Sequence, residues 1–211
     1  MTTEPSLGLR ERKKADTRRA LSDAALRLAL EHGIDQVTRE AIADLAGVSV
    51  RTFNNYFTGK YEAMAYRQNE RLRRSLDAMR ARPADEPLWT SLAEAMLEPL
   101  ELEFGGSGGA PSRSELAEIR KLLMNPAIRN AVSKDLFDEW IDLIAERSGT
   151  DATRDMYPRL VAAVMRAVGD TAMEAYATAD PPVAITTLYR EALAAVAAGL
   201  PEPSPEKEHH V

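Results

Sequence analysis

"AIADLAGVSVRTFNNYFTGK", residues 41–60, holds two short helical patterns on either side of Ala46-Gly47-Val48. The first is apolar on one face. Ile42 and Leu45 are expected to face a hydrophobic centre, and Ala41, Ala43 and Ala46 let helices approach closely. The second is anchored by Val48, Phe53 and Phe57, about one turn apart. Ser49, Val50, Arg51, Thr52, Asn54, Asn55 and Tyr56 are left for the outside or the edges. Gly47 suits a turn that needs positive φ. Ser49 is placed to cap the second helix, which should stop near Phe57 where "TGK" breaks the pattern.

Working outward, Leu21, Ala24, Ala25 and Leu28 repeat at helical spacing within a helix expected over about 15–32, with Gly33 as its stop. Thr38 is a cap for the next helix, and Glu40 stands in its first turn. Three helices with the last two joined across a tight turn make a helix-turn-helix, whose final helix enters the DNA major groove. The outward side chains suit that partner. Arg bonds guanine in bidentate fashion, Asn bonds adenine, and Val or a Thr methyl meets a thymine methyl. The Lys60 ammonium, hydroxyls and the exposed amides near Thr38 and Ser49 suit phosphate oxygens.

Charge is distributed accordingly. The whole chain carries −6, but residues 1–60 hold ten Lys/Arg against eight Asp/Glu, and residues 61–211 hold seventeen against twenty-five. "RERKKADTRR", residues 10–19, has six basic groups and two acidic ones, a local attraction for a polyanion. The chain lacks cysteine, which excludes disulfides, thiolate metal sites and thiol catalysis. Its first residues show no apolar signal region, and no run reaches the roughly 18 apolar residues of a membrane span. A cytoplasmic protein without membrane contact is expected. One His, His32, lies outside the tail, at a helix end, and neither His-Glu-x-x-His nor Gly-x-Ser-x-Gly occurs. No catalytic residue, metal site or cofactor is therefore assigned.

The rest reads as helices over about 60–80, 88–104, 114–124, 126–148, 153–179 and 183–199, with no strand pattern. Pro99 should kink or shorten the second of these. "RPADEP", residues 82–87, is a linker, and the proline-rich end reads as a frayed tail. The expected fold is all-α: a helix-turn-helix domain over 1–60, a helical ligand-binding and dimerisation domain over 61–200, and a disordered tail over 201–211. The last two long helices carry continuous small and aliphatic residues, among them Leu160, Val161, Ala163, Val164, Ala167 and Val168, then Leu188, Ala192, Leu193, Val196 and Ala197. Such faces permit close helix packing, and a two-fold dimer would let two small heads read a palindrome. Large soft side chains in the middle helices, Trp89, Met96, Leu100, Phe104, Leu122, Met124, Phe137, Trp140 and Met165, are candidates for an adaptable apolar pocket.

The stretch "RKKADTRRALSDAALRLALEHGIDQVTREAIADLAGVSVRTFNNYFTGKYEAM", residues 12–64, resembles the DNA-binding domain of the TetR family of bacterial transcriptional regulators. The likeness lies in Ala25, Leu28, Gly33, Thr38, Ile42, Ala43, residues 46–49, Thr52, Tyr56, Phe57 and Lys60. It implies phosphate contacts at Thr38, Thr52, Tyr56 and Lys60, and base contacts from the Arg39 region, Val50, Arg51 and Asn55. Asn54 departs from the aromatic residue often found there. "LMNPAIRNAV", "WIDLIAERSG" and "PRLVAAVMRAVGDTAMEAY" look like the subgroup with an acyl-CoA-like ligand-binding domain. That likeness implies a homodimer on double-stranded DNA, released by a small hydrophobic effector such as an acyl-CoA, with Arg113, Arg120, Lys121 or Arg129 meeting its phosphates. The alternatives are a DNA-binding dimer controlled by a protein partner and an all-α enzyme.

Overall fold

The computed structural model describes residues 8–104, 117–119, 121–122, 125–131 and 134–202, and among them every regular element is helical. The chain divides into two compact units: residues 1–74 with 109–140, and residues 75–108 with 141–211.

In the first unit, α1 spans Leu9–His32. It starts six residues before the start expected near residue 15, because its first two turns are charged and carry no apolar repeat. Arg, Lys and Glu are good helix formers that carry no hydrophobic periodicity. Leu21, Ala24, Ala25 and Ala29 bury one face. Gly33, at φ +83°, ends the helix, and a single 3₁₀ turn, Ile34–Gln36, leads to α2, Arg39–Leu45. Gly47, at φ +68°, turns the chain into α3, Val50–Tyr56. α4 follows over Lys60–Ala81 and runs past the boundary between the units.

Ile42 and Phe53 are fully buried, together with Leu21, Ala43, Phe57 and Met64. The Phe57 ring lies 5.9 Å from Phe53 and edge-on to Tyr66 at 5.7 Å. Burial pushes the Tyr66 phenol up, and the nearby Glu70 carboxylate adds to the effect. Leu45 does not join this core and is 43% exposed. The buried side of α2 is centred on Ile42 and Ala43, and at 3.6 residues per turn Leu45 lies about 110° round the helix. Leu122 and Ile128 pack against the same cluster, so part of the segment expected in the larger domain completes the core of the head.

One helix expected over 126–148 is two. α6, Pro126–Asn130, is capped by Asn125, whose side chain accepts from the Ala127 amide, and α7 covers Lys134–Ser148. Residues 130–133 include Asn, Val and Ser, all weak helix formers.

In the second unit, α5, Leu88–Phe104, runs through Pro99 without being shortened. The proline ring is fully buried, and that apolar contact offsets the lost backbone hydrogen bond. α8 spans Met156–Thr178 and α9 spans Ile185–Ala197, with α9 packed against both α5 and α8. Gly169 permits that approach: a Cβ there would lie 3.2 Å from the Tyr189 hydroxyl.

The loop before α5 is held by one side chain of α7. Arg147 donates to the carbonyls of Arg82 at 3.2 Å and Pro83 at 2.7 Å, and to Ser91 Oγ at 2.8 Å. Ser91 in turn donates to the Glu86 carboxylate at 2.6 Å, which also pairs with Arg82. Hydrogen bonds from Arg82 and Ser91 hold the Glu86 carboxyl down at about 2. No helix among the described residues is long and apolar enough to cross a membrane.

Candidate nucleic-acid interface

The interface is assembled by two capped helices. Thr38 Oγ1 accepts from the Ala41 amide at 3.1 Å, and Ser49 Oγ accepts from the Thr52 amide at 3.0 Å. Each cap satisfies one of the unpaired N–H groups of a helix start and contributes about 1 kcal/mol. Thr38 keeps its own hydroxyl proton for an outside acceptor, since the cap uses only a lone pair. Ser49 and Thr52 share a hydroxyl hydrogen bond of 2.9 Å.

Between the caps the turn closes on itself. The Gly47 amide donates to the Asp44 carbonyl at 3.0 Å, and the Val48 amide to the Ala43 carbonyl at 2.9 Å. This fixes how α3 leaves α2. Phe53 then sinks into the core at 0% exposure, which sends Arg51, Asn54 and Asn55 to the exposed side. Val50, Thr52 and Tyr56 are half-buried along the edges.

Two pairings were not legible in the sequence. Arg39 Nη1 donates to Asn54 Oδ1 at 3.5 Å, so the first residue of α2 and the middle of α3 meet on the exposed face. The Asn54 amide, standing where an aromatic is often found, thereby orients the Arg39 guanidinium. Arg18 of α1 sits 5.8 Å from the centre of the Tyr56 ring and braces it.

Lys60 is placed differently from a simple phosphate ligand. Its ammonium donates to the carbonyls of Ile34 at 2.9 Å, Val37 at 3.1 Å and Asp35 at 3.4 Å. An ammonium has three donors, and these three carbonyls take them all. The bond ties the start of α4 to the turn immediately before the Thr38 cap. At the same place Thr58 donates its amide and hydroxyl to Glu62, at 2.6 and 2.7 Å.

These observations decide the family. The model for the "Bacterial regulatory proteins, tetR family" matches residues 21–64, and the "MftR C-terminal domain" model matches residues 86–201. The chain is also 30% identical over 192 residues to the HTH-type transcriptional regulator TcmR of Streptomyces glaucescens, covering 88% of this chain and 85% of that protein. The chain belongs to the TetR family. It is a DNA-binding transcriptional regulator with an N-terminal helix-turn-helix and a C-terminal helical domain.

Solved TetR-type structures share the fold. The fatty acid degradation regulator FadR of Bacillus halodurans superposes with a TM-score of 0.57 at 19% identity, over 87% of this chain and 96% of its own. Thermus thermophilus FadR, a TetR family transcriptional repressor in complex with lauroyl-CoA, gives 0.51 at 20%, over 90% and 98%.

The pocket candidates fall in both units. Met96, Leu100 and Met165 are buried in the second unit, where Trp89 is half-buried. In the first unit, Trp140 is buried, Phe137 is half-buried and Leu122 belongs to the core of the head. Met124, the side chain of Phe104, Arg113 and Arg120 lie outside what is described. Lys121 pairs with Glu118 at 2.6 Å, and Arg129 is exposed.

Proposed function

We propose that this TetR regulator is a homodimeric, ligand-responsive repressor that reads a palindromic operator and leaves it when a small hydrophobic effector binds. The observation that carries the reading is α3, capped by Ser49, pinned by the fully buried Phe53, and presenting Arg51, Asn54 and Asn55 to the outside. Val50, Arg51 and Asn55 read bases, with Arg39 held in place by Asn54. Thr38, Ser49, Thr52 and Tyr56 meet phosphates. Lys60 acts as a positioning residue, fixing the turn that presents Thr38.

The dimer is supported by apolar side chains left uncovered in the single chain. On α8, Met156 is 77% and Leu160 55% exposed, with Ala163 and Ala167 exposed on the same stripe. A symmetric four-helix contact through α8 and α9 would cover them and set two heads for adjacent major-groove half-sites. The effector is assigned to the apolar side chains of the second unit, Trp89, Met96, Leu100 and Met165, and an acyl-CoA, the ligand of the Thermus relative, is its leading chemical class. Its binding would favour one packing of α4, through differential affinity for two arrangements of the helix.

The test combines sedimentation of the full chain with titration of acyl-CoAs of increasing length into the protein–operator complex. A dimer that releases operator more readily with longer chains supports the reading. A monomer, or operator affinity unchanged by every acyl-CoA, contradicts it. Exchanging Trp89 and Trp140 singly for Phe tells which tryptophan reports the ligand. Quenching is expected to disappear with Trp89→Phe.

A further inference from the structure

We propose that the buried hydroxyl of Ser75, on α4, is a hydrogen-bonding subsite for an oxygen carried on the apolar part of the effector. The inference rests on the assignment of the effector to the second unit, and it names what that effector adds to a plain hydrocarbon chain.

Ser75 is 1% exposed, and its Oγ is a buried polar atom with no hydrogen-bond partner among the described residues. A serine inside a helix has an acceptor within reach, the carbonyl four residues back. Other hydroxyls of this chain use it. Thr17 donates to the Lys13 carbonyl at 2.8 Å, Ser148 to that of Ile144 at 2.7 Å and Thr178 to that of Glu174 at 2.9 Å. Ser91, likewise buried, accepts from Arg147 and donates to Glu86. Ser75 does neither, so its donor and its lone pairs are held in apolar surroundings at a cost to stability.

Size does not account for this serine. Ser22 of α1 also has an unpartnered buried hydroxyl, but it stands in line with Ala25 and Ala29, both fully buried in the core of the head. Small residues let helices approach closely on such a face. Ser75 instead stands one turn from Leu72 and from the fully buried Met79, and next to the fully buried Leu76. An aliphatic side chain would continue that face and bury more apolar area. The hydroxyl there serves a partner that the fold itself does not supply.

Ser75 opens the second unit, in which Met96, Leu100 and Met165 are buried. Such side chains offer an effector dispersion contacts and little hydrogen bonding. A lone hydroxyl among them selects by the oxygen it meets. A chain bearing a hydroxyl or carbonyl gains a bond, whereas a plain chain leaves Ser75 unpaired. The contact falls on α4, the helix that begins at Lys60 and whose packing the effector is proposed to select.

The test uses the full chain on its selected operator, with release followed by fluorescence anisotropy. Lauroyl-CoA is compared with its β-hydroxy, mid-chain hydroxy and ω-hydroxy forms, on the wild type, Ser75→Ala, Ser75→Thr and Ser22→Ala. Thermal unfolding of each protein is recorded without ligand. In the wild type, at least one hydroxylated chain should release operator at a concentration about five- to tenfold below that of lauroyl-CoA. Ser75→Ala should reverse that order, because the chain's hydroxyl is then buried unpaired, while release by lauroyl-CoA stays within about threefold. Ser75→Thr, which keeps a hydroxyl, should retain the preference, and Ser22→Ala should leave it untouched. Without ligand, Ser75→Ala should raise Tm by about 2–4 °C.

A wild type that responds equally to lauroyl-CoA and to all its hydroxylated forms overturns the proposal. So does a preference that survives Ser75→Ala, or a Tm that falls in that variant. A wild type released by none of the acyl-CoAs would instead remove the effector reading, and this subsite with it.

Discussion

Lys60 in the head and Arg147 in the second unit each gather the carbonyls of a turn, but they are built on different chemistry. Lys60 is a point charge whose three donors meet the carbonyls of Ile34, Asp35 and Val37. Arg147 is a planar fork that spans the Arg82 and Pro83 carbonyls and Ser91, with Glu86 behind the serine. The first arrangement holds a turn that must present Thr38 to an outside acceptor, and it contains no titrating partner. The second holds the loop between α4 and α5, and it does. The head is thus tied through backbone carbonyls, whereas the loop at the far end of α4 depends on the Glu86 carboxylate, held at about 2 by Arg82 and Ser91.

The largest effect that would break this comparison is Arg147→Ala, which strips partners from the carbonyls of Arg82, Pro83 and Glu86 and from the buried Ser91, and should cost about 2–3 kcal/mol in urea unfolding. Arg147→Lys should recover less than half, because an ammonium cannot reproduce the fork. Full recovery by Lys would show that charge alone suffices there. Lys60→Met should cost about 1–2 kcal/mol and weaken operator binding while leaving the salt slope unchanged. A slope lowered by about one would assign Lys60 to a phosphate instead.

Effects of similar or smaller size sharpen the picture of the head. Arg51→Ala should lose about 1–3 kcal/mol on the operator and relax one base position, with little change on random DNA. Equal losses on both would remove it as a base reader. Thr38→Ala and Ser49→Ala should each cost about 1 kcal/mol of stability by chemical denaturation, and Ser at 38 or Thr at 49 should restore most of it.

The smallest effect at neutral pH belongs to Glu86. Its carboxyl is held at about 2 in the folded chain against an ordinary 4.5. Folding therefore gains from its ionisation fully above about pH 4.5, and the gain is lost as pH falls from there toward about 2. Glu86→Gln should flatten the acid limb of the stability profile over that window. An unchanged acid limb would separate Glu86 from the Arg147 joint.

The helix-turn-helix was legible because its determinants are local. Thr38, Gly47 and Ser49 act within three or four residues of themselves, and Phe53 and Phe57 declare the buried face. Local signals failed in two ways. The charged first turns of α1 form a helix without an apolar repeat, and Leu45 is apolar yet turned outward by the rotation of α2. Nothing in the sequence around Lys60 names carbonyls 23 to 26 residues earlier. The same holds for Arg147, whose partners lie 56 to 65 residues away, and for Leu122, which reads as a pocket residue and lies in the core of the head. These are tertiary contacts of polar groups with backbone, or of one apolar residue among many equivalents, and they leave no periodicity to detect.

The most direct test of the regulator's central claim is selection of bound sequences from a random duplex library by the full chain. Recovery of a palindrome with half-sites about one helical turn apart, in major grooves about 34 Å apart, is the expected result for a dimer reading DNA through α3. Salt-sensitive binding with no enriched motif would contradict it and leave the face formed by residues 49–56 without a reading role.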